Sequence, residues 1–230
     1  MKILAVDTST PSGSVAVLDG LRVPVEWSLQ SARTHNRRLL GTVDDLLREL
    51  GWTLADMDVY AVTVGPGSFT GLRIGLTTMK TLAWSMGKPL VGVPSLDALA
   101  APLEFACLPV CCLIDAAKRE IYSAQFSPGG EGGLRRTGPY RVSEPERIVE
   151  LVCEPTLFCG DGWLSYRDYF LERLGNLAVE PPAPFHLIRA GFVGELARRR
   201  FLAGESDDPM SCVPMYIRPS EAELNGSRSS

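Results

Sequence analysis

Histidine is nearly absent from the 230 residues: only His35 and His186 occur, and none of the six cysteines lies in a C-x-x-C pair or beside a histidine. Zinc centres and other imidazole-rich metal sites, which need clustered nitrogen and sulfur ligands, are therefore not expected. Reduced thiols buried in apolar strands are the expected state of Cys107, Cys111, Cys112, Cys153, Cys159 and Cys212. Long hydrophobic runs are missing too. Stretches such as Tyr60 to Val64 and Leu108 to Ile114 fall far short of the roughly 20 residues that span a bilayer. Asp7 interrupts the first apolar run before it could form a signal-peptide core, so a cytoplasmic protein without membrane contact is expected. An excess of positive charge is also lacking. At a net charge of −4 a dedicated nucleic-acid binder is disfavoured, because such affinity comes largely from a basic surface. Any RNA contact would need a local patch, such as Arg33, Arg37 and Arg38 or Arg198 to Arg200, or a partner.

What is present is a globular composition, 45% hydrophobic and 22% charged, enough to bury one or two cores. Lys2 to Asp7, Ser14 to Leu18 and Val23 to Leu29 read as three strands joined by the turns at Thr10 to Gly13 and Asp19-Gly20. A helix is predicted from His35 to Leu50, capped by Thr34 and ended by Gly51. Its Leu39, Leu40, Val43, Leu46, Leu47 and Leu50 fall within roughly 120° of arc. A strand at Val59 to Val64, a glycine-rich loop at Gly65 to Gly71 and a helix at Leu72 to Met86 follow. Then come a strand at Leu90 to Val93 and a helix at Ser95 to Ala106. The order β-β-β-α-β-α-β-α is that of one lobe of the actin-like, sugar-kinase-like (ribonuclease H-like) α/β fold, in which two lobes each carry a mixed sheet flanked by helices. We expect an N-terminal lobe over residues 1–106, a reduced C-terminal lobe over 107–218 and a disordered tail over 219–230. In the second lobe, strands are predicted at Pro109 to Asp115, Ile121 to Phe126 and Thr156 to Cys159. Helices are predicted near Pro145 to Cys153, Tyr166 to Leu174 and His186 to Leu202.

Few residues could carry chemistry. Asp7, Thr8 and Ser9 end the first strand, where an actin-like ATPase holds phosphate and metal; a turn bonded to its own amides is the competing reading. Gly65, Gly67 and Ser68 open a strand-to-helix loop whose amides could converge on an anion. The loop lacks the Walker lysine and the G-x-G-x-x-G spacing, so a tight structural turn is at least as good an account. These six residues form a candidate vestigial phosphate site, with Gly129-Gly130, Gly132-Gly133 and Gly160-Asp161-Gly162 as weak second-lobe counterparts. If the site is vestigial, Asp7→Ala is expected to cost no more than about 1 to 2 kcal/mol, the scale of a lost turn bond. Neither histidine belongs to a recognisable triad, so a hydrolase is disfavoured.

Val6-Asp7-Thr8-Ser9-Thr10, Gly65-Pro66-Gly67-Ser68-Phe69-Thr70-Gly71-Leu72-Arg73-Ile74-Gly75, Gly92-Val93-Pro94-Ser95-Leu96 and Pro214-Met215-Tyr216-Ile217-Arg218 together resemble the TsaB family, also called YeaZ. The resemblance is densest over the first 122 residues. It implies a role in forming threonylcarbamoyladenosine at the adenosine next to the anticodon of tRNAs that read codons beginning with A. In that scheme TsaC makes threonylcarbamoyl-adenylate and TsaD transfers the threonylcarbamoyl group to tRNA. TsaB proteins bind and activate TsaD, their paralogue, and the ATPase TsaE joins the pair. TsaD carries a metal-binding H-x-x-x-H; the corresponding stretch here is Ser95-Leu96-Asp97-Ala98-Leu99, with no imidazole at either ligand position. The resemblance thus implies a non-catalytic activator without cofactor or metal, contacting tRNA indirectly and pairing with itself when alone. An independent actin-fold ATPase or kinase is the alternative.

The helix after the glycine loop suggests where a partner would bind. Leu72, Leu76, Met79, Ala83 and Met86 form an apolar stripe, while Ile74, Thr77, Thr78, Thr81 and Ser85 form a second face that is small and uncharged. A helix with core on one side usually shows charge on the other. The expected interface combines that small face with Leu39, Val43 and Leu46 of the preceding helix.

Overall fold

The computed structural model describes residues 1–30, 39–129 and 133–217. Its first sheet is formed by β1 (Lys2–Asp7), β2 (Ser12–Asp19), β3 (Arg22–Gln30), β4 (Val59–Gly65) and β5 (Leu90–Pro94) in the order β3-β2-β1-β4-β5. β1 runs antiparallel to β2 and parallel to β4, and β4 is parallel to β5. β1 is central and reads as an unbroken apolar run because it is covered on both sides. Side chains alternate along it. Leu4 and Val6, with Val15, Val17, Tyr60 and Val62, pack against α1 (Leu39–Glu49) and α2 (Phe69–Met86). Ile3 and Ala5, with Ala16, Leu18 and Ala61, pack against α3 (Ser95–Ala100) and α6 (Ala190–Leu202).

The second sheet has the order β11-β10-β6-β7-β8, with β9 also paired to β7. Its strands are β6 (Val110–Asp115), β7 (Ile121–Pro128), β8 (Leu134–Arg136), β9 (Arg141–Ser143), β10 (Thr156–Cys159) and β11 (Ala178–Val179). α4 (Pro145–Val149) and α5 (Asp161–Leu174) cover one face. There Phe158, Trp163 and Phe170 stack with ring centroids 5.0 to 5.8 Å apart, the offset geometry aromatic rings prefer in a core.

The mixed two-sheet α/β architecture expected from the sequence is the one observed. The strands of the first sheet all lie before residue 95 and those of the second after residue 109, but α6 returns to the first sheet and lies on β1 and β2. Gly194 permits this: a Cβ there would stand 2.3 Å from Leu18 Cδ1 and 3.2 Å from the Cβ of Ala5. Glu26 on β3 accepts the Gly191 amide (2.9 Å) and pairs with Arg189, anchoring the negative carboxylate at the positive end of α6. Beyond α6, the Asp207 amide donates to the Leu90 carbonyl (2.8 Å) and its carboxylate accepts the Gly92 amide (2.7 Å), so the chain closes the free edge of β5.

Several expectations are corrected. α5 begins at Asp161, not Tyr166, and α6 at Ala190, with a short 3₁₀ turn at Ala183–His186 before it. The third helix stops at Ala100, followed by a 3₁₀ turn. Cys107 and Cys153 are exposed, not buried; Cys111, Cys112 and Cys159 are buried and Cys212 half-buried. The helix start at His35, the Thr34 cap and the tail at 219–230 lie outside the described residues.

Leu76 is 3% exposed whereas Thr81 is on the surface. Burying a charge costs several kcal/mol against a whole stability of about 5 to 15 kcal/mol. Circular dichroism melting is expected to show no cooperative transition for Leu76→Asp and a nearly unchanged midpoint for Thr81→Glu.

Candidate functional site

The turn after β1 and the glycine loop after β4 meet at the C-terminal ends of the two central strands. Asp7 is completely buried. Its Oδ1 accepts the Ser9 amide (3.0 Å), the Ser9 hydroxyl (2.6 Å) and the Thr63 hydroxyl (2.7 Å). The Thr8 hydroxyl donates to the Gly71 carbonyl (2.7 Å), and the Ser68 amide donates to the Ser9 carbonyl (2.7 Å). A Cβ on Gly67 would lie 2.2 Å from Ser9 O, one on Gly71 2.0 Å from Thr8 O, and one on Gly75 2.3 Å from Thr8 Oγ1. Those glycines let two backbones touch. Asp7, Thr8, Ser9, Gly67 and Ser68 are thus brought together, but the Ser68 amide and the Thr8 and Ser9 hydroxyls are aimed at protein acceptors. Gly65, at φ 118°, sits beneath the returning C-terminal segment: a Cβ there would be 2.7 Å from the Met215 carbonyl oxygen. Ser68 caps α2, accepting the Gly71 amide at 3.3 Å.

The second-lobe counterpart is built the same way. Gly160, at φ 107°, has the Leu113 carbonyl oxygen 1.9 Å from where a Cβ would stand, and Gly162 meets the Leu113 carbonyl carbon at 2.9 Å. Between them Asp161 accepts the Asp115 amide (3.1 Å). Burial pushes the Asp161 carboxyl up to about 6, against the help of its hydrogen bonds and with a further push from the Asp115 charge.

In α3, Ser95 and Leu99 are both buried, and Leu99 packs toward Gly160 within the core between the sheets. Asp97 accepts the Tyr140 hydroxyl (2.8 Å) and lies 3.8 Å from Arg136; burial raises its carboxyl above the usual range. His186 is buried, 3.8 Å from Glu180, and burial lowers its pKa; His35 lies outside the described residues. Among the described residues no three His, Cys, Asp or Glu side chains are grouped to hold a metal ion, and no helix is long and apolar enough to cross a membrane.

Of the expected partner surface, Thr77, Thr81 and Ser85 are exposed, and Ile74, Thr78 and Leu46 half-buried. Leu39 and Val43 are corrections: at 6% and 2% exposure they pack into the core beneath α1, because the apolar arc of an amphipathic helix turns toward its own sheet. Sequence reasoning missed Trp84, 68% exposed on α2. It also missed the stack of Phe69 on Tyr216 (5.4 Å), with Arg73 over the Phe69 ring. Trp84 lies three residues from Thr81, and that spacing alone could have placed it on the same side. The returning segment is tied to α2 by Lys80, which donates to the Met210 (3.2 Å) and Cys212 (2.7 Å) carbonyls.

Two mixed sheets flanked by helices, with the turn after β1 packed against the glycine loop before α2, define a protein of actin-like α/β fold. The ethanolamine utilization protein EutJ from Carboxydothermus hydrogenoformans shares that fold, at TM-score 0.50 and 12% identity over 84% of this chain and 89% of its own. The family model described as TsaD, tRNA N6-adenosine threonylcarbamoyltransferase, matches residues 29–157. The tRNA threonylcarbamoyladenosine biosynthesis protein TsaB of Bacillus subtilis is 30% identical, covering 97% of this chain and 96% of its own. TsaB of Escherichia coli is 33% identical over 95% of each. YeaZ from Pseudomonas aeruginosa superposes with TM-score 0.79 at 32% identity, over 94% of this chain and 99% of its own. The chain belongs to the TsaB (YeaZ) family.

Since Asp7 receives three hydrogen bonds in the core, not one at a surface turn, Asp7→Ala is expected to cost about 3 kcal/mol, above the sequence expectation; Asp7→Asn, which keeps an acceptor, about 1 kcal/mol. Urea denaturation measures both. Asp161 gives a pH signature. Its folded pKa lies above the ordinary 3.8, so ionisation opposes folding, and the penalty accumulates as pH rises from about 4 to about 6. Asp161→Asn is expected to gain stability relative to the parent across that window and to hold a constant difference above it, in urea titrations at successive pH values.

Proposed function

We propose that this protein is a non-catalytic scaffold that binds and activates a TsaD-type transferase during threonylcarbamoylation of tRNA. The carrying observation is the outward side of α2, which has no acidic residue, small hydroxylated side chains at Thr77, Thr81 and Ser85, and the strongly exposed aromatic Trp84 beside them. Small side chains admit a second helix closely, and an aromatic among them is the usual anchor of such a contact. The absence of catalysis is supported by Ser95 and Leu99, which offer a hydroxyl and a hydrocarbon where the transferase has imidazoles. The buried Asp7, with its hydrogen bonds turned inward, fits the same reading. TsaE joins through the complex in the cytoplasm, and the free chain pairs with itself through the same helix.

The test is affinity purification with the endogenous transferase, followed by reconstitution of tRNA modification with and without this chain. Modification is expected to require the chain; modification by this chain and the adenylate alone, without the transferase, would defeat the proposal. Trp84→Ala and Thr81→Glu are each expected to weaken the complex at least about tenfold, the scale of an interface anchor, without lowering the melting temperature. An unchanged affinity for both would place the interface elsewhere.

A further inference from the structure

Many of the described arginines are spent on carboxylates. Arg48, Arg147, Arg167, Arg189, Arg198, Arg199 and Arg200 all sit in ion pairs, including the triplet Arg198 to Arg200 that sequence alone offered as a basic patch. Several of the described cations without such a partner lie close together in sequence. Between residues 116 and 143 the sequence holds Lys118, Arg119, Arg135, Arg136 and Arg141 against Glu120 and Glu131, in a chain whose net charge is −4. Arg136 is occupied by Asp97 and Tyr140. Arg119, Arg135 and Arg141 are exposed, and none of them makes an ion pair with another described residue.

The topology lines these three up. β8 and β9 lie end to end along the same side of β7: Arg135 is opposite Ser127, and Arg141 opposite Ser123. Directly opposed residues in an antiparallel pair share a face, and Ser123 and Ser127 are four residues apart, so the two arginines stand on one face about 13 Å from each other. Arg119 ends the hairpin turn just before Ile121, where β7 begins, in a left-handed run with Ala117 and Lys118 (φ 64°, 57° and 54°) that fixes the turn. The result is an edge of the second sheet carrying Arg135 and Arg141 on one face, with Arg119 in the hairpin turn that leads into the same strand β7.

Resting on the reading above that the chain works within a tRNA-modifying complex, we propose that this edge binds the sugar-phosphate backbone of the tRNA directly. Spaced guanidiniums with no internal carboxylate partner suit a polyanion with repeating charge, and phosphate contacts position an RNA without reading its sequence. The α2 side would engage the transferase while the β7–β9 edge holds the substrate.

The experiment compares the parent with R119A/R135A/R141A and with the charge-keeping R119K/R135K/R141K, each as the full chain alone and with the transferase. Binding of unmodified tRNA is measured across a salt series, and binding of anionic phosphatidylserine vesicles serves as a second arm. The alanine variant is expected to lose about tenfold or more in tRNA affinity near 0.1 M salt and to flatten the log Kd against log salt slope by about two to three. The lysine variant is expected to keep most of both, with an unchanged melting temperature and transferase pull-down in all three. An unchanged slope in the alanine variant would overturn the proposal, as would a loss confined to vesicles. If the parent fails to capture the transferase, the scaffold reading falls, and the tRNA titration of the free chain still decides the edge.

Discussion

Backbone-to-backbone contact between the turn after β1 and the start of α2 is the constraint on which the rest of the molecule rests. Gly67, Gly71 and Gly75 are spaced so that successive steps of the loop and helix press on Ser9 and Thr8, and any side chain would drive them apart. That contact fixes the angle at which α2 leaves the sheet. The angle in turn decides which residues of α2 meet Leu4, Val6 and Tyr60 and which are left outside. The buried Asp7 reinforces it by joining the turn to Thr63 on the neighbouring strand. In an anion-binding loop the same glycines would leave amides open to a ligand. Here the Ser68 amide is taken by the Ser9 carbonyl.

The second lobe repeats the device with different residues. Gly160 and Gly162 allow α5 to start directly against the β6 backbone, and Leu99 from α3 closes the space between. Such close packing makes this junction part of the rigid core. The return of α6 and the following segment to the first sheet adds a second tie between the halves: Ser14 donates to the Ile188 carbonyl (3.1 Å), Glu26 holds the start of α6, and Met215 donates to the Val64 carbonyl (2.7 Å). A molecule stitched this way holds the surfaces of its two halves in a fixed relative orientation.

Much of this was legible before any coordinates. The strand and helix order of the first lobe followed from turn residues, from the continuous apolar runs of strands covered on both sides, and from the 3.6-residue stripe of helices that bury one face. The apolar stripe of α2 was assigned to the correct side for the same reason. The short strands β8, β9 and β11, two or three residues each, were invisible because so few residues show no period.

Sequence by itself determined the fold class, the family resemblance and the absence of imidazoles at Ser95 and Leu99, since these depend only on residue type and order. It could not tell a glycine that opens a backbone to an anion from one that admits another strand, because the two demand the same missing Cβ. Only the tertiary structure decided that Thr8 and Ser9 fill the space, that Leu39 and Val43 face inward, and that Arg198 to Arg200 are neutralised while Arg119, Arg135 and Arg141 are not. The first is set by partners more than 50 residues away along the chain and the second by the facing of a whole element; the third depends on which side chains each arginine reaches in the folded chain, Glu195 and Glu205 close in sequence and Glu104 far from it.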